Sequence, residues 1–371
     1  MELRIIGTDF QELDIIDSYE SLIWTERYRE CGDFELYTSP AHPYIPYLMP
    51  GNYLVSRESD RVMIIEDLSI KSDPENGAKI TVTGRSLESI LDRRVVWDST
   101  HVKGNVQEGI KRALEYNIGR LASNARRISN FVFRESDDPA VTELTCELTN
   151  LRGEELYEVA VTICKEKGLG FKITMDEDNQ FVFQFYSGID RSYSQNERPC
   201  IIYSPNYDNL VSSNYAEKTS THKNAAMILG KESVGASGPD MPVNITTIAV
   251  IGDATGLDRR EIFVDATNVS NKYKDPTTNQ DVMYGYEEYQ KLIEPKGYEE
   301  LAKNVKSVVF DGECDTNSAH VYGKDFGMGD IVQIEDEYGH QARSRVVELI
   351  RSTDASGYFT YPTFESIEEG E

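Results

Sequence analysis

Three carboxylates fall within five residues at Asp311-Gly312-Glu313-Cys314-Asp315, the nearest approach in this chain to a catalytic signature. Paired carboxylates hydrolyse glycosidic bonds when they face each other across the sugar, one as acid and the other as nucleophile or base. Sequence neighbours alternating along a strand or turn rarely achieve that facing geometry, so the run reads as a polar segment rather than a site. A second acidic run, Asp176-Glu177-Asp178-Asn179, opens like a calcium loop. It lacks the glycine required at the sixth position, and Ser187 stands at the twelfth, where a bidentate Glu would close the shell. A hairpin tip is the better reading. The five histidines (His42, His101, His222, His320 and His340) are scattered, with no His or Cys partner at metal-ligand spacing. There is no G-x-S-x-G elbow, phosphate loop or dinucleotide fingerprint. Gly235 to Asp240 contains Gly and Ser but no lysine and no strand-to-helix context. No catalytic, cofactor-binding or metal site is therefore expected, and no cofactor.

The elements that would have to position such groups belong to a chain of 371 residues, long enough for roughly two or three domains. A hydrophobic fraction of 39%, with 26 glycines besides, supports sizeable cores. Lys and Arg number 38 against 64 Asp and Glu, a net charge of -26, which repels phosphate backbones and anionic membrane surfaces. Met1 to Asp9 has no basic segment leading into an apolar run, so no signal peptide is expected. No stretch approaches the roughly 20 apolar residues of a membrane span. Five cysteines, odd in number and never C-x-x-C, point to synthesis in a reducing cytoplasm and not to a disulfide framework or zinc ribbon. Cys164 shares a helical face with Leu156, Val159, Ala160 and Ile163 and reads as core.

Residues 1–97 are mostly short strands, at 3–6, 21–28, 33–38, 52–56, 62–70 and 79–83. Gly32-Asp33, Pro50-Gly51-Asn52, Ser59-Asp60 and Asp73-Pro74-Glu75-Asn76-Gly77 supply the reversals between them. Such spacing favours a sandwich or barrel. At residue 98 the period changes. Asn105 with Glu108 makes a capping-box-like start for a helix whose face is Val106, Ile110, Ala113, Leu114 and Ile118. A second helix runs from Gly153 to Lys167, with Gly168 placed to end it in a left-handed cap. Residues 171–175 and 180–186 then form a hairpin, so 98–205 reads as an α+β insertion domain. Strands resume at 210–215, 224–230, 243–251 and 261–265, around a mobile loop at Ser233 to Asp240. A helix near 286–305, broken by Pro295 and Gly297, leads into 307–310.

Two stretches almost a whole chain apart read as one phrase. Gly51-Asn52 opens a strand that turns, returns through Val62-Met63-Ile64-Ile65-Glu66 and reverses at Gly77 into Ile80-Thr81-Val82. Gly329-Asp330 does the same through Arg345-Val346-Val347-Glu348 and Gly357 into Phe359-Thr360-Tyr361. Any two antiparallel meanders share some of this, but the residues around them make the likeness specific. The segments Ser21-Leu22-Ile23-Trp24-Thr25-Glu26-Arg27-Tyr28, Gly32-Asp33-Phe34-Glu35-Leu36-Tyr37, Thr83-Gly84-Arg85-Ser86-Leu87-Glu88-Ser89-Ile90-Leu91 and Gly256-Leu257-Asp258-Arg259-Arg260-Glu261, with both phrases, resemble the baseplate hub (tail-associated) proteins of long-tailed bacteriophages and prophages. The resemblance spans nearly the whole chain.

That resemblance implies a β-dominated α+β protein with two tube-type β-barrels: the first at 1–97, then the insertion at 98–205, and the second at 206–371. It implies a homotrimer in which six barrels meet a six-fold tail tube, so that the duplication adapts three-fold to pseudo-six-fold symmetry. Exposed strand edges that need covering favour the trimer too. The implied partners are the tail tube or distal tail protein, a tail-tip fibre or spike, the tape measure protein, and genomic DNA only in passage through the channel. The implied location is the virion. Many members continue into peptidase, lysozyme-like or fibre domains, whereas here the second barrel is followed by the short acidic run from Phe364 to Glu371, so no wall-degrading or host-binding role is expected. A tail-delivered glycan hydrolase acting through Asp311 or Glu313, and a cell-surface binding module, are the alternatives. The acidic charge keeps the subunit soluble and, where it lines a channel, denies DNA any cations to exchange for its counterions. The two meanders are expected to superpose with Gly51 and Gly329 at matching turns, with Ile64 and Val346 both facing a barrel interior or sheet interface, and with the insertion outside the ring.

Overall fold

In a computed structural model of the chain, the described residues are 1–73, 77–97, 101–148, 151–233, 243–275, 278–304, 307–314 and 320–367. The loop expected at 233–240 lies outside them beyond Ser233, as do Asp315, the last four residues of the acidic tail and the side chains of Asp311 and Glu313. The chain divides into one unit made of Met1–Asn214 and Phe310–Glu371 and another made of Tyr215–Val309.

In the first unit, β1 (Leu3–Ile6), β2 (Glu12–Ile16), β3 (Ser21–Arg27), β4 (Asp33–Thr38), β5 (Tyr53–Ser56), β6 (Val62–Asp73) and β7 (Gly77–Ser86) follow the expected strand pattern, with β2 added. β2 escapes sequence reading because it ends its sheet and fully buries only Ile16, so it shows no alternation. The next stretch contains β8 (Val102–Asn105), α1 (Val106–Asn117), β9 (Phe131–Phe133), α2 (Pro139–Thr142), β10 (Thr145–Leu148), α3 (Leu156–Lys167), β11 (Gly170–Met175) and β12 (Phe181–Tyr186). Asn105 caps α1 as its sequence indicates, its side chain accepting from the N–H groups of Gln107 and Glu108 at 2.9 and 3.3 Å. α3 ends at Gly168, whose φ of 66° is the left-handed cap.

β6 explains how the two parts share a core. Successive strand side chains point to opposite faces. Met63 and Ile65 join Leu3, Ile5, Trp24, Phe34, Leu36 and Val82 on one face. Val62 and Ile64 join Val106, Ile110, Ala160, Cys164, Phe171 and Phe183 on the other. Burial on both faces is why Val62 to Ile65 is a continuous apolar run. The segment 98–205 therefore builds its core against the first strands.

The chain goes on through β13 (Ile202–Tyr203) and β14 (Leu210–Lys218). Beyond it lie β15 (Ala225–Ser233), β16 (Val243–Val250), β17 (Glu261–Asp265), β18 (Lys272–Lys274), β19 (Asp281–Met283) and α4 (Tyr286–Ala302). After these come β20 (Ser307–Cys314), β21 (Ile331–Glu335), β22 (Gln341–Asp354) and β23 (Gly357–Ser366). The expected break in α4 does not occur: the helix runs through Pro295 without ending. Tyr289, Ile293, Gly297 and Leu301 are its buried stripe, spaced by four, and packing on Ala226, Ile228, Ile245 and Ala249 offsets the hydrogen bond that proline cannot make. Gly297 is a point of close approach: a Cβ there would lie 2.4 Å from Ile228 Cδ1 and 2.8 Å from Ala249 Cβ. Gly297→Val is expected to destabilise the second unit by about 1–3 kcal/mol through overpacking, read as a lower denaturation midpoint for that unit. An unchanged midpoint would mean that α4 lifts freely from its sheet.

Candidate functional site

The repeated phrase is repeated in hydrogen bonds. Gly51 N–H donates to the Ile65 carbonyl at 2.8 Å, and Ile65 N–H returns to the Asn52 carbonyl at 2.9 Å. Gly329 N–H donates to the Val346 carbonyl at 2.8 Å, and Val346 N–H returns to the Asp330 carbonyl at 2.9 Å. Both glycines are left-handed, with φ of 98° and 89°. In each copy the register then slips by one residue, at Glu66 between Ile65 and Asp67, and at Val347 between Val346 and Glu348. Each return strand, β6 and β22, thus carries a bulge at the same place relative to its glycine. Gly51 and Gly329 stand at matching turns, as expected. Ile64 and Val346 are both buried, but the residue matching Val346 is Ile65, one place on.

The two meanders are not separated. They belong to one eleven-stranded sheet, ordered β13-β21-β22-β3-β4-β7-β6-β5-β1-β2 with β23 on the other side of β22, and among the described residues its path runs open from β13 to β2. This corrects the expectation of one independent barrel per meander. The cause is the length of β22: Gln341 to Arg345 pair with β21, while Glu348 to Thr353 extend past it and pair with β3 from Arg27 to Leu22. A free edge is thereby covered within the chain.

Charge fastens this seam. Arg27 Nε meets Glu348 Oε2 at 2.7 Å across the paired strands, and Arg29 Nη1 meets Glu365 Oε2 at 2.7 Å. Arg351 pairs with Glu26, both buried. Next to it Arg61 pairs with Glu88, also buried, and Arg61 Nη2 donates to Tyr186 Oη at 3.0 Å. Glu26, Asp60, Arg61, Lys172, Tyr322 and Arg351 line a cleft of about 350 Å³ here. Burial alone would push the Asp60 carboxyl up, but Arg61 and Lys172, the latter at 2.5 Å, hold it below the usual carboxylate range. Burial raises the Tyr186 and Tyr322 phenols. Glu26, Asp60 and Glu88 each have a cation, so the cluster fixes strand geometry and offers no free acid-base pair.

A carboxyl held low in the folded chain stabilises it at every pH above the unfolded value of about 3.9, and that contribution fades as pH falls through the folded value. Lys172→Met is therefore expected to lower the melting midpoint above about pH 4, with the difference from the native chain shrinking as pH falls and Asp60 becomes protonated in both. Melting midpoints between about pH 2 and pH 5 would read this. Superimposable curves would show that Lys172 does not act on Asp60.

Tyr28 sits where the early strands, β11 and the second phrase meet. Its N–H donates to the bulge carbonyl of Val347 at 2.8 Å, its carbonyl accepts from Phe171 N–H at 3.1 Å, and its hydroxyl donates to the Gly168 carbonyl at 3.0 Å. Burial pushes the phenol up to about 12. Asp330 accepts from Ile189 N–H at 2.8 Å, Arg191 Nε at 2.8 Å and Gly327 N–H at 3.0 Å. Sequence reading passed over these junction residues. The available signal was the change from Asn52 to a charged Asp330 at the same place in the phrase.

The residues weighed as chemical candidates are dispersed. Asp176 accepts from the N–H groups of Asp178 and Gln180 at 3.0 and 2.9 Å, and Asn179 has a φ of 58°, a hairpin tip between β11 and β12. Ser187 Oγ donates to Asp138 at 2.5 Å. Cys164 is fully buried in its expected core. His340 Nδ1 lies 2.6 Å from Asp336 in the turn between β21 and β22. Among the described residues no group of three or more His, Cys, Asp or Glu could hold a metal ion, and no helix is long and apolar enough to cross a membrane.

This β-dominated fold, with a helical layer packed on β6, is similar to the folds of solved prophage and bacterial tail proteins. The prophage MuSo2 43 kDa tail protein from Shewanella oneidensis aligns with a TM-score of 0.57 at 11% identity, over 98% of this chain and 98% of that one. Prophage tail protein gp18 from Listeria monocytogenes EGD-e aligns at 0.55 and 12% identity, over 100% and 96%. The tail protein from Neisseria meningitidis MC58 aligns at 0.54 and 13% identity, over 99% and 96%. At these identities the likeness is one of fold. The chain itself belongs to the siphovirus ReqiPepy6 Gp37-like protein family, whose model matches residues 2–364. No curated protein matches the sequence.

Proposed function

We propose that this phage tail protein is the non-enzymatic structural hub at the distal end of the tail, a homotrimer that adapts the six-fold tail tube to a three-fold tip. The observation that carries this reading is the matched turn geometry at Gly51 and Gly329. In the proposed trimer, two meanders with matched turns in each of three subunits supply six related positions to the tail tube, although the two share one sheet within the subunit. On this reading the tail tube or distal tail protein lies above the hub, a fibre or spike below, and the tape measure protein and then genomic DNA pass through a channel where acidic side chains repel the phosphates. Antibody against the chain should label intact particles at the end of the tail remote from the capsid. Label along the tail shaft, or at the capsid junction, would refute the hub position.

A further inference from the structure

Between residues 93 and 134 this acidic chain reverses sign: nine Lys and Arg stand against three Asp and Glu. The structure gathers much of this charge around α1. Arg94 Nε donates to the Arg126 carbonyl at 3.2 Å, and Arg126 Nη2 donates to the Val95 carbonyl at 2.7 Å. The Arg126 guanidinium lies 4.8 Å from the centre of the Trp97 ring, and Arg127 Nη2 donates to the Arg120 carbonyl at 2.7 Å. Arg112 stands 5.9 Å over Tyr116 one turn along α1. Among the described residues, the guanidinium groups of Arg93, Arg94, Arg112, Arg120 and Arg127 form no ion pair with a carboxylate, in a chain with 64 acidic residues. Large apolar surface is exposed in the same patch: Trp97 is 60% exposed and Leu121 55%, with Tyr116 and Val95 also exposed.

Arginine around exposed tryptophan, tyrosine and leucine is the composition of an interface centre. We infer that this patch is an assembly surface that takes the acidic surface of a second copy of the same chain. Charge complementarity selects that occupant. With the patch set aside, the rest of the chain is more acidic than its total of -26, so each copy carries both the basic patch and a surplus of the acid it lacks. A contact between unlike surfaces of identical subunits is heterologous, and it forms a ring when the rotation between copies closes and a filament when it does not. The inference rests on the hub reading only for closure at three copies.

The test is sedimentation velocity of the full chain at rising concentration, native against a variant carrying Arg93→Glu, Arg112→Glu, Arg120→Glu and Arg127→Glu, and separately against Trp97→Ala. Arg94 and Arg126 are left in place because they hold backbone carbonyls. The native chain should associate, with an association midpoint raised by salt. The charge-reversal variant should need at least about tenfold more protein, since like charges now face each other, while circular dichroism and melting midpoint stay unchanged. Equal midpoints for native and both variants would overturn the inference and leave the hub reading standing. A native chain that stays monomeric would overturn it too, and retained label at the tail end would still separate that failure from loss of the hub position. Capture of a duplex oligonucleotide by the patch, with no self-association, would assign the surface to nucleic acid instead.

Discussion

Glu88→Ala is expected to destabilise the first unit by about 3 kcal/mol, because it leaves the buried Arg61 guanidinium with only the half-exposed Asp60 carboxylate, 3.8 Å from Nε, as counter-charge. The Arg61 and Glu88 side chains are 4% and 1% exposed, so water cannot take over. Glu88 Oε1 also accepts from Ile173 N–H at 3.0 Å, and truncation orphans that donor. The Arg27 carbonyl at 3.3 Å and Tyr186 Oη at 3.0 Å remain to Arg61 without neutralising it, and Asp60 is shared with Lys172. A melting midpoint lower by about 10 °C follows at this scale. The double variant Arg61→Met with Glu88→Leu should recover most of the loss, since it avoids taking two charges out of water. Were the single variant as stable as the native chain, Arg61 would have to reach solvent by local rearrangement, and the buried junction would not be rigid.

Gly329→Ala is expected to cost about 3 kcal/mol or more, and Gly51→Ala about 1–2 kcal/mol, although the two positions share one turn geometry. Both would force a side chain into the left-handed region. They differ in what that side chain meets. At Gly51 the nearest atom to a new Cβ is Thr8 Cγ2 at 3.7 Å, an ordinary contact. At Gly329 it would lie 2.3 Å from Cε2 and 2.8 Å from Cζ of Tyr28. That ring cannot retreat, because the Cβ position of Gly170 is also 2.3 Å from it and its hydroxyl is held by Gly168. Chemical denaturation of the two variants side by side measures the difference. Equal losses would mean that Tyr28 moves aside at little cost.

Local signals carried well from sequence to structure. The Asn105 cap, the left-handed Gly168, the Cys164 face of α3, the tip at Asp176 and the paired turns at Gly51 and Gly329 all depend on residues a few positions apart, where helix period, strand alternation and φ > 0 chemistry act directly on the chain. The repeat was legible for the same reason, since each copy writes its own turn and return strand. Pro295 misled because the rule that proline ends a helix is also local. The stripe from Tyr289 to Leu301 packed on β15 and β16 outweighs it, and that packing partner lies some 60 residues earlier.

The sequence by itself determined the meanders, most of the helices, the acidic balance and the family. Tertiary structure alone decided that the two meanders share a sheet. The residues responsible, Arg27 with Glu348 and Glu26 with Arg351, are 321 and 325 positions apart. A charged residue in a strand pattern looks like a solvent-facing one until its partner is known, because burying it is favourable only beside an opposite charge that arrives from elsewhere in the chain. Nothing in the spacing of β22 says that its far half will pass β21 and cover β3. That choice is made by edge pairing and counter-charge in three dimensions, after each local element is already specified.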